Sequence, residues 1–192
     1  MFGRNESESF GYGSATCAPM DRQGRPNEPQ LVYRRDPDTG QPVEGLLRWG
    51  LIPHFCETRP DFAPIHARVE TVVEKEWFRD AYRRRRCIVP MNSFFQDTGG
   101  KRYAISRRDG QPFGVAGIWE NWRDPLTGKW ERTFAVVTVP ANELVAQIHD
   151  RMVAILPNDR FSRWLSDEAD PRELLVPFPA DELAVSPQRS RR

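Results

Sequence analysis

Turn sequences divide this chain into short segments, and that division constrains the fold more than any other feature. Seventeen prolines are spread over 192 residues, and each proline fixes φ and removes a backbone N–H donor. Residues 36–40 (DPDTG), 98–100 (TGG) and 109–110 (DG) have the composition of tight turns between alternating segments. This pattern predicts a series of short antiparallel hairpins and argues against a helical bundle.

Most segments between the turns alternate like strands. The predicted strands comprise residues 30–35, 43–52, 87–89, 92–96, 102–106, 113–119, 132–139 and 151–156. A helix is predicted over residues 71–85, where Thr71 and Glu74 have the spacing of a capping box.

Two shorter helices are predicted over residues 142–148 and 158–166. The second would bury one face, formed by Phe161, Trp164 and Leu165. Antiparallel hairpins with a few scattered helices predict a single α+β domain over residues 1–192. Its basic end, residues 187–192, is expected to be a flexible tail.

The composition argues against several classes of protein. No run of about eighteen apolar residues occurs, so no membrane span is predicted, and residues 1–10 lack the apolar core of a secretory signal. Cys17, Cys56 and Cys87 are widely spaced without a CxxC pair, which supports neither a zinc site nor a disulfide framework. Neither GxxxxGK nor GxGxxG occurs. We therefore expect a cytoplasmic protein with reduced thiols, no metal and no cofactor.

Charge alone does not indicate a nucleic-acid binder, because the formal net charge is +1. Of the 28 basic residues, 25 are arginines and three are lysines. Arginine can both bind phosphate and stack on bases. A GC-rich coding bias is the alternative explanation. The run at 83–86 (RRRR) is interpreted as the solvated end of a helix rather than as a DNA-binding patch.

Two histidines stand beside residues that handle protons or phosphates. His149 directly precedes Asp150 and Arg151, and an imidazole is suited to proton transfer near neutral pH. His66 and Arg68 alternate along a strand-like segment, so they share one face. The alternatives are that His149 is an ordinary surface residue and that the segment with His66 and Arg68 is a solvated strand edge.

Two aromatic segments have a similar ambiguity. Residues 92–97 (NSFFQD) combine aromatic and polar side chains and are a candidate functional segment. The alternative is a core strand that ends at a hairpin. Trp49, Pro53 and Phe55 could stack on a base, while burial of Trp49 in the core is the alternative.

Taken together and in order, these motifs resemble the SRAP family, whose members process abasic sites and sense damage in single-stranded DNA. The matching segments are 1–4 (MFGR), 49–53 (WGLIP), 67–71 (ARVET), 86–90 (RCIVP), 92–96 (NSFFQ) and 148–157 (IHDRMVAILP). The resemblance covers about residues 1–4 and 45–165. It implies antiparallel strands curled into a sandwich or open barrel with peripheral helices.

The resemblance also implies a covalent chemistry. In the family the initiator Met is removed, the α-amine of the exposed Cys attacks the aldehyde of a ring-opened abasic sugar, and its thiol closes a thiazolidine. An Asn positions the sugar, a Glu serves acid/base steps and a His assists Schiff-base chemistry. A terminal amine has a pKa near about 8, well below that of lysine, which favours this attack.

This chain departs from the family at three of four catalytic positions. Phe2, His66 and Gln96 stand where the family has Cys, Asn and Glu, and His149 is retained. Phenylalanine has no thiol and glutamine exchanges no proton, so we expect the covalent crosslink to be lost. The resemblance predicts that these four positions line one cleft.

Three functions follow from these observations. The first is a diverged SRAP protein of the DNA damage (SOS) response that binds single-stranded DNA, including abasic sites. Its predicted DNA contacts are Arg4, Arg68 and Arg151 to phosphates and Trp49, Pro53 and Phe55 to bases. The second is an enzyme with altered chemistry, a peptidase-like hydrolase or a DNA lyase, that uses His66 and His149. The third is a non-catalytic interaction module.

Overall fold

The computed structural model describes residues 25–168 and 170–188. Phe2, Arg4, Cys17 and most of the predicted basic tail therefore lie outside the described residues.

The described chain is mostly strand, with two short α-helices. The strands are β1 (Pro29–Arg35), β2 (Pro42–Trp49), β3 (His66–Arg68), β4 (Arg86–Met91), β5 (Ser93–Thr98), β6 (Lys101–Arg107), β7 (Phe113–Arg123), β8 (Trp130–Pro140), β9 (Arg151–Val153), β10 (Ile155–Leu156) and β11 (Leu183–Gln188). The helices are α1 (Glu76–Arg84) and α2 (Phe161–Trp164), with 3-10 turns at Val145–Gln147, Asn158–Arg160, Arg172–Leu174 and Ala180–Glu182.

Five strands close into a barrel in the order β7-β4-β1-β2-β8, with β8 pairing back to β7. Four of the five pairings are antiparallel, and only β2 and β8 run parallel. Strands β3, β9 and β10 extend this sheet, and β5, β6 and β11 form a second sheet. The predicted α+β class with a curled, largely antiparallel sheet is confirmed.

The β1–β2 hairpin shows how the turn residues set the register. The carboxylate of Asp36 accepts hydrogen bonds from the backbone N–H groups of Asp38 and Thr39, each at 3.1 Å. Gly40 has φ +69°, a left-handed conformation that glycine adopts without a steric penalty. Arg35 then pairs with Pro42, and the ladder continues to Pro29 opposite Arg48.

The core lies inside the barrel and under α1. Residues 113–120 of β7 and 133–139 of β8 are continuously buried, as expected for strands covered on both faces. A Cβ on Gly117 would lie only 2.8 Å from Sγ of Cys87, so the absence of a side chain there lets β4 and β7 approach closely. Cys87 is fully enclosed, and burial raises the pKa of its thiol far above the usual range.

The first predicted helix begins later than its sequence pattern indicated. Helix α1 starts at Glu76 after Lys75, without a side-chain cap. The backbone carbonyl of Thr71 instead accepts hydrogen bonds from the N–H groups of Glu74 and Lys75 in a separate turn. Val72 is fully buried, and anchoring that turn in the core outweighs the capping signature of Thr71.

The two other predicted helices are shorter than expected. Residues 142–148 contain only the 3-10 turn Val145–Gln147, which Asn142 supports by accepting a hydrogen bond from the N–H of Val145 at 2.9 Å. Residues 158–166 divide into a 3-10 turn and α2. The apolar face predicted for that segment is confirmed, because Phe161, Trp164 and Leu165 are all buried.

Candidate functional site

The carboxyl-terminal half of β8 gathers several of the residues that the sequence singled out. Strands β3 and β9 flank it, and β3 places His66 and Arg68 beside residues 136–138. Both side chains are exposed, while Ala67 between them is fully buried. The shared solvent face that strand alternation predicted for His66 and Arg68 is therefore present.

The backbone of Arg151 connects His149 to Gln96. Its N–H donates to Nδ1 of His149 at 3.0 Å, and its carbonyl accepts from Nε2 of Gln96 at 3.0 Å. Nδ1 of His149 also lies 3.2 Å from Oδ1 of Asp150. In the tautomer that accepts from Arg151, and equally in the protonated ring, Nε2 carries a proton and offers an N–H donor to a bound group.

His66 is the partner imidazole of this site. Desolvation by the surrounding protein lowers its pKa, and the nearby charge of His149 lowers it further. The residue as a whole is exposed, so we attribute the desolvation to crowding around the ring, which contacts Trp49 edge-on with centroids 6.1 Å apart. A lowered pKa keeps His66 neutral at pH 7, where it can both donate and accept hydrogen bonds.

The guanidinium of Arg151 is bound within the protein. It forms a bidentate ion pair with Glu70 and donates to the carbonyl oxygen of Thr138 at 2.7 Å. Hydrogen bonding to Arg151 lowers the pKa of the Glu70 carboxyl. A phosphate would have to displace Glu70 to reach Arg151, so Arg68 is the more accessible of the two predicted phosphate contacts that lie within the described residues.

The three predicted base contacts have different surroundings. Trp49 is half-buried, stacks on Phe134 at a centroid distance of 6.2 Å and donates from Nε1 to the carbonyl of Ile65 at 2.9 Å. Phe55 is 43% exposed. Pro53 is buried and offers a base less surface than Phe55 does, and contact of these three residues with bases stays a prediction.

Sequence reasoning missed a buried ionic group beside α1. Glu120 is 1% exposed, accepts from Nη2 of Arg85 at 2.6 Å and lies 3.5 Å from Nδ1 of His54. Burial and the charge of Glu120 raise the pKa of the Cys56 thiol. The partners are separated by 35 and 66 residues, so no local pattern could join them, although Arg85 belongs to the conspicuous arginine run.

Within 25–168 and 170–188, no three His, Cys, Asp or Glu side chains are grouped so that they could hold a metal ion. No helix in this part of the chain is long and apolar enough to cross a membrane. Phe2 and Arg4 lie outside it, so their predicted places in the cleft remain predictions.

Sequence comparison connects the chain to known proteins. A family model described as SOS response associated peptidase (SRAP) matches residues 15–191. The abasic site processing protein YobE of Bacillus subtilis is 36% identical over 149 residues, which cover 72% of this chain and 68% of YobE. The abasic site processing protein HMCES of Gallus gallus is 29% identical over 226 residues, which cover 89% of this chain and 67% of HMCES. The chain thus spans about two thirds of the length of these curated relatives.

Solved structures share the architecture. A crystal structure of a protein from Bordetella bronchiseptica superposes with a TM-score of 0.77 at 28% identity and covers 87% of each chain. Another, from Bacteroides thetaiotaomicron, superposes with a TM-score of 0.76 at 28% identity and covers 85% of this chain and 75% of that chain. The family match extends over nearly all of the sequence and agrees with the motifs: the chain belongs to the SRAP family.

Proposed function

We propose that this protein binds single-stranded DNA at abasic sites and does so without the covalent crosslink of its family. The observation that carries the proposal is geometric: Gln96 and His149 both bind the backbone of Arg151, which pairs with the end of β8, and β3 places His66 on the same half of β8. These are three of the positions that the family resemblance assigns to the abasic sugar. Relatives at 29–36% identity are named abasic site processing proteins.

We propose no crosslink because positions 2 and 96 lack the thiol and the carboxyl that the family's reaction uses. Phe2 has no thiol, so an imine formed with an abasic aldehyde would remain open to hydrolysis. Gln96 supplies no carboxyl for proton transfer.

Noncovalent recognition has the groups that it needs. His149 offers Nε2–H, and neutral His66 offers both a donor and an acceptor to a sugar hydroxyl or aldehyde. Arg68 is exposed on the same strand as His66 and can pair with a phosphate. Phe55 and the exposed part of Trp49 can contact bases by stacking, which tolerates any sequence.

The proposal is tested by fluorescence anisotropy with intact and abasic single strands over a range of salt concentrations. We expect tighter binding to the abasic strand and a steep loss of affinity with salt. Arg68→Ala should reduce the slope of log affinity against log salt by about 0.7, the value for one lost phosphate contact on a single strand. The matched control is Arg108→Ala, which removes an exposed arginine from the β6–β7 connection. Equal slopes for the two variants would contradict the proposal.

A second function is favoured by the histidine pair itself. A primary amine of the chain would form an imine with the abasic aldehyde and release water, and the two imidazoles could move the protons of that step and of strand cleavage. Borohydride trapping on an abasic strand tests it, because a reduced adduct that His149→Ala diminishes would indicate a lyase. Lack of binding to either DNA at low salt would instead favour a non-catalytic interaction module.

A further inference from the structure

A cavity of about 120 Å³ opens at the side of the barrel, between the β1–β2 turn, the end of α1 and the segment after α2. Its lining includes Arg35 and Asp36 from the hairpin, Arg84 and Arg86 from the arginine run, and Trp119 from β7. At about 30 Å³ per water, the volume suits about four waters or a single phosphate group.

Two arginines at this cavity have buried Nε atoms that make no hydrogen bond within the described part of the chain. Nε of Arg35 is buried and has no hydrogen-bond partner among the described residues, and the same holds for Nε of Arg34. Arg34 is only 5% exposed and lies over the ring of Trp119 at 4.7 Å. Nη1 of Arg34 donates to the carbonyl of Arg35 at 3.1 Å, so the unmet donors are the two Nε–H groups. A buried donor without an acceptor is unfavourable, and an anion that entered beside these residues would be stabilised.

The remaining charges leave the cavity positive. Arg86 is occupied, because it donates to the backbone carbonyls of Tyr82 and Trp164 at 2.9 and 2.7 Å. Asp36 lines the cavity, but one of its carboxylate oxygens is engaged by the hairpin turn. Asp167, also in the lining, is exposed to solvent. Arg35 and Arg84 are therefore the guanidinium groups available to a ligand.

We propose that this cavity is a phosphate-binding site in which Arg35 and Arg84 contact the ligand and Arg34 adds positive charge behind them. Two guanidinium groups match the oxygens of a phosphate, whose charge offsets the unpaired arginines. The cavity and the histidine site lie on opposite edges of β8: Trp119 of β7 pairs with Phe134, and His66 of β3 pairs with Val136. Two strand spacings across the sheet correspond to about 10 Å.

The test measures thermal unfolding of the full chain against increasing inorganic phosphate, with sodium chloride adjusted to hold ionic strength constant. Phosphate should raise the melting temperature of the wild-type chain, because a ligand that binds only the folded state stabilises it. Arg84→Ala should weaken phosphate binding about tenfold, the effect of one lost charge-assisted hydrogen bond. Arg83→Ala is the matched control, since it removes the same charge from the same helical turn outside the cavity.

Arg35→Gln provides a second variant from a different element and should also weaken binding. If phosphate stabilises Arg84→Ala and Arg83→Ala equally, or gives wild type no stabilisation, the proposal is overturned. Oligonucleotides that compete with inorganic phosphate identify the natural ligand. If only the 5′-phosphorylated form competes, the ligand is a terminal phosphate; if the 5′-hydroxyl form competes as well, the ligand is a backbone phosphate. The proposal does not depend on the histidine site, so His66→Ala should retain phosphate binding.

Discussion

A Gln96→Glu substitution places a carboxyl where a side-chain amide now donates a hydrogen bond. Nε2 of Gln96 lies 3.0 Å from the carbonyl oxygen of Arg151, in a partly buried contact. An ionised carboxylate cannot donate, so two oxygens would face each other, and the lost bond would cost about 1–3 kcal/mol. A protonated carboxyl can still donate, so the folded state raises the pKa of the introduced group.

The pH dependence follows from that shift. The introduced carboxyl has a pKa of about 4.3 in the unfolded chain and a higher value in the folded one. Below about pH 4 the variant should have the same free energy of unfolding as wild type. It should lose stability as the pH rises through the folded-state pKa, and above that pKa its free energy of unfolding should stay lower by a constant amount. A deficit of about 1–3 kcal/mol corresponds to a folded-state pKa between about 5 and 6.5, at 1.36 kcal/mol per unit.

Urea unfolding followed by tryptophan fluorescence between pH 4 and pH 8 measures this deficit. Gln96→Ala is the control, because it removes the same hydrogen bond without adding a titratable group and should show a deficit that does not vary with pH. The reasoning is refuted if Gln96→Glu is as stable as wild type at pH 8, or if its deficit is the same at every pH.

Two further predictions concern the reactive terminus and the buried ion pair. Phe2→Cys alone should give little heat-stable adduct with an abasic single strand on a denaturing gel. The same change combined with His66→Asn and Gln96→Glu should give more, because the thiol, the amide and the carboxyl are then all present. Arg85→Ala should reduce the free energy of unfolding by about 3–5 kcal/mol, since it leaves the carboxylate of Glu120 buried without its cation.

A single result would contradict each of these two predictions. A heat-stable adduct formed by the unmodified chain would show that Phe2 does not block the crosslink. Arg83→Ala serves as the control for Arg85→Ala, because Arg83 is exposed at the end of α1 and its loss should change stability by less than about 0.5 kcal/mol. Equal effects of the two arginine variants would mean that Glu120 does not depend on Arg85.

Local sequence patterns predicted the strands better than the helices. The turn at 36–40 and the buried runs of β7 and β8 follow from short-range rules that the tertiary structure leaves intact. The start of α1 does not, because Thr71 has the spacing of a capping residue while the burial of Val72 holds that segment in a turn. Capping patterns describe an isolated helix, and a few buried residues beside it can move its end.

In the candidate site, sequence patterns predicted which residues share a face but not which residues make contact. Strand alternation was enough to place His66 and Arg68 on one face. The contact of Gln96 with Arg151 was beyond sequence reasoning, because it joins a side chain to a backbone carbonyl 55 residues away. The same applies to Glu70, whose carboxylate neutralises an arginine 81 residues distant. Only a family resemblance could indicate that such distant positions meet.

Strand β8 carries two tasks on different parts of its length. Its first half closes the barrel by pairing with β2 and β7, and its last residues hold β3 and β9. The side chains at His66, Gln96 and His149 are therefore attached to a scaffold whose cohesion comes from other residues. Exchange of one of these side chains changes local hydrogen bonds and leaves the strand pairing of the barrel in place, so the chemistry of the site can change during evolution while the fold is kept.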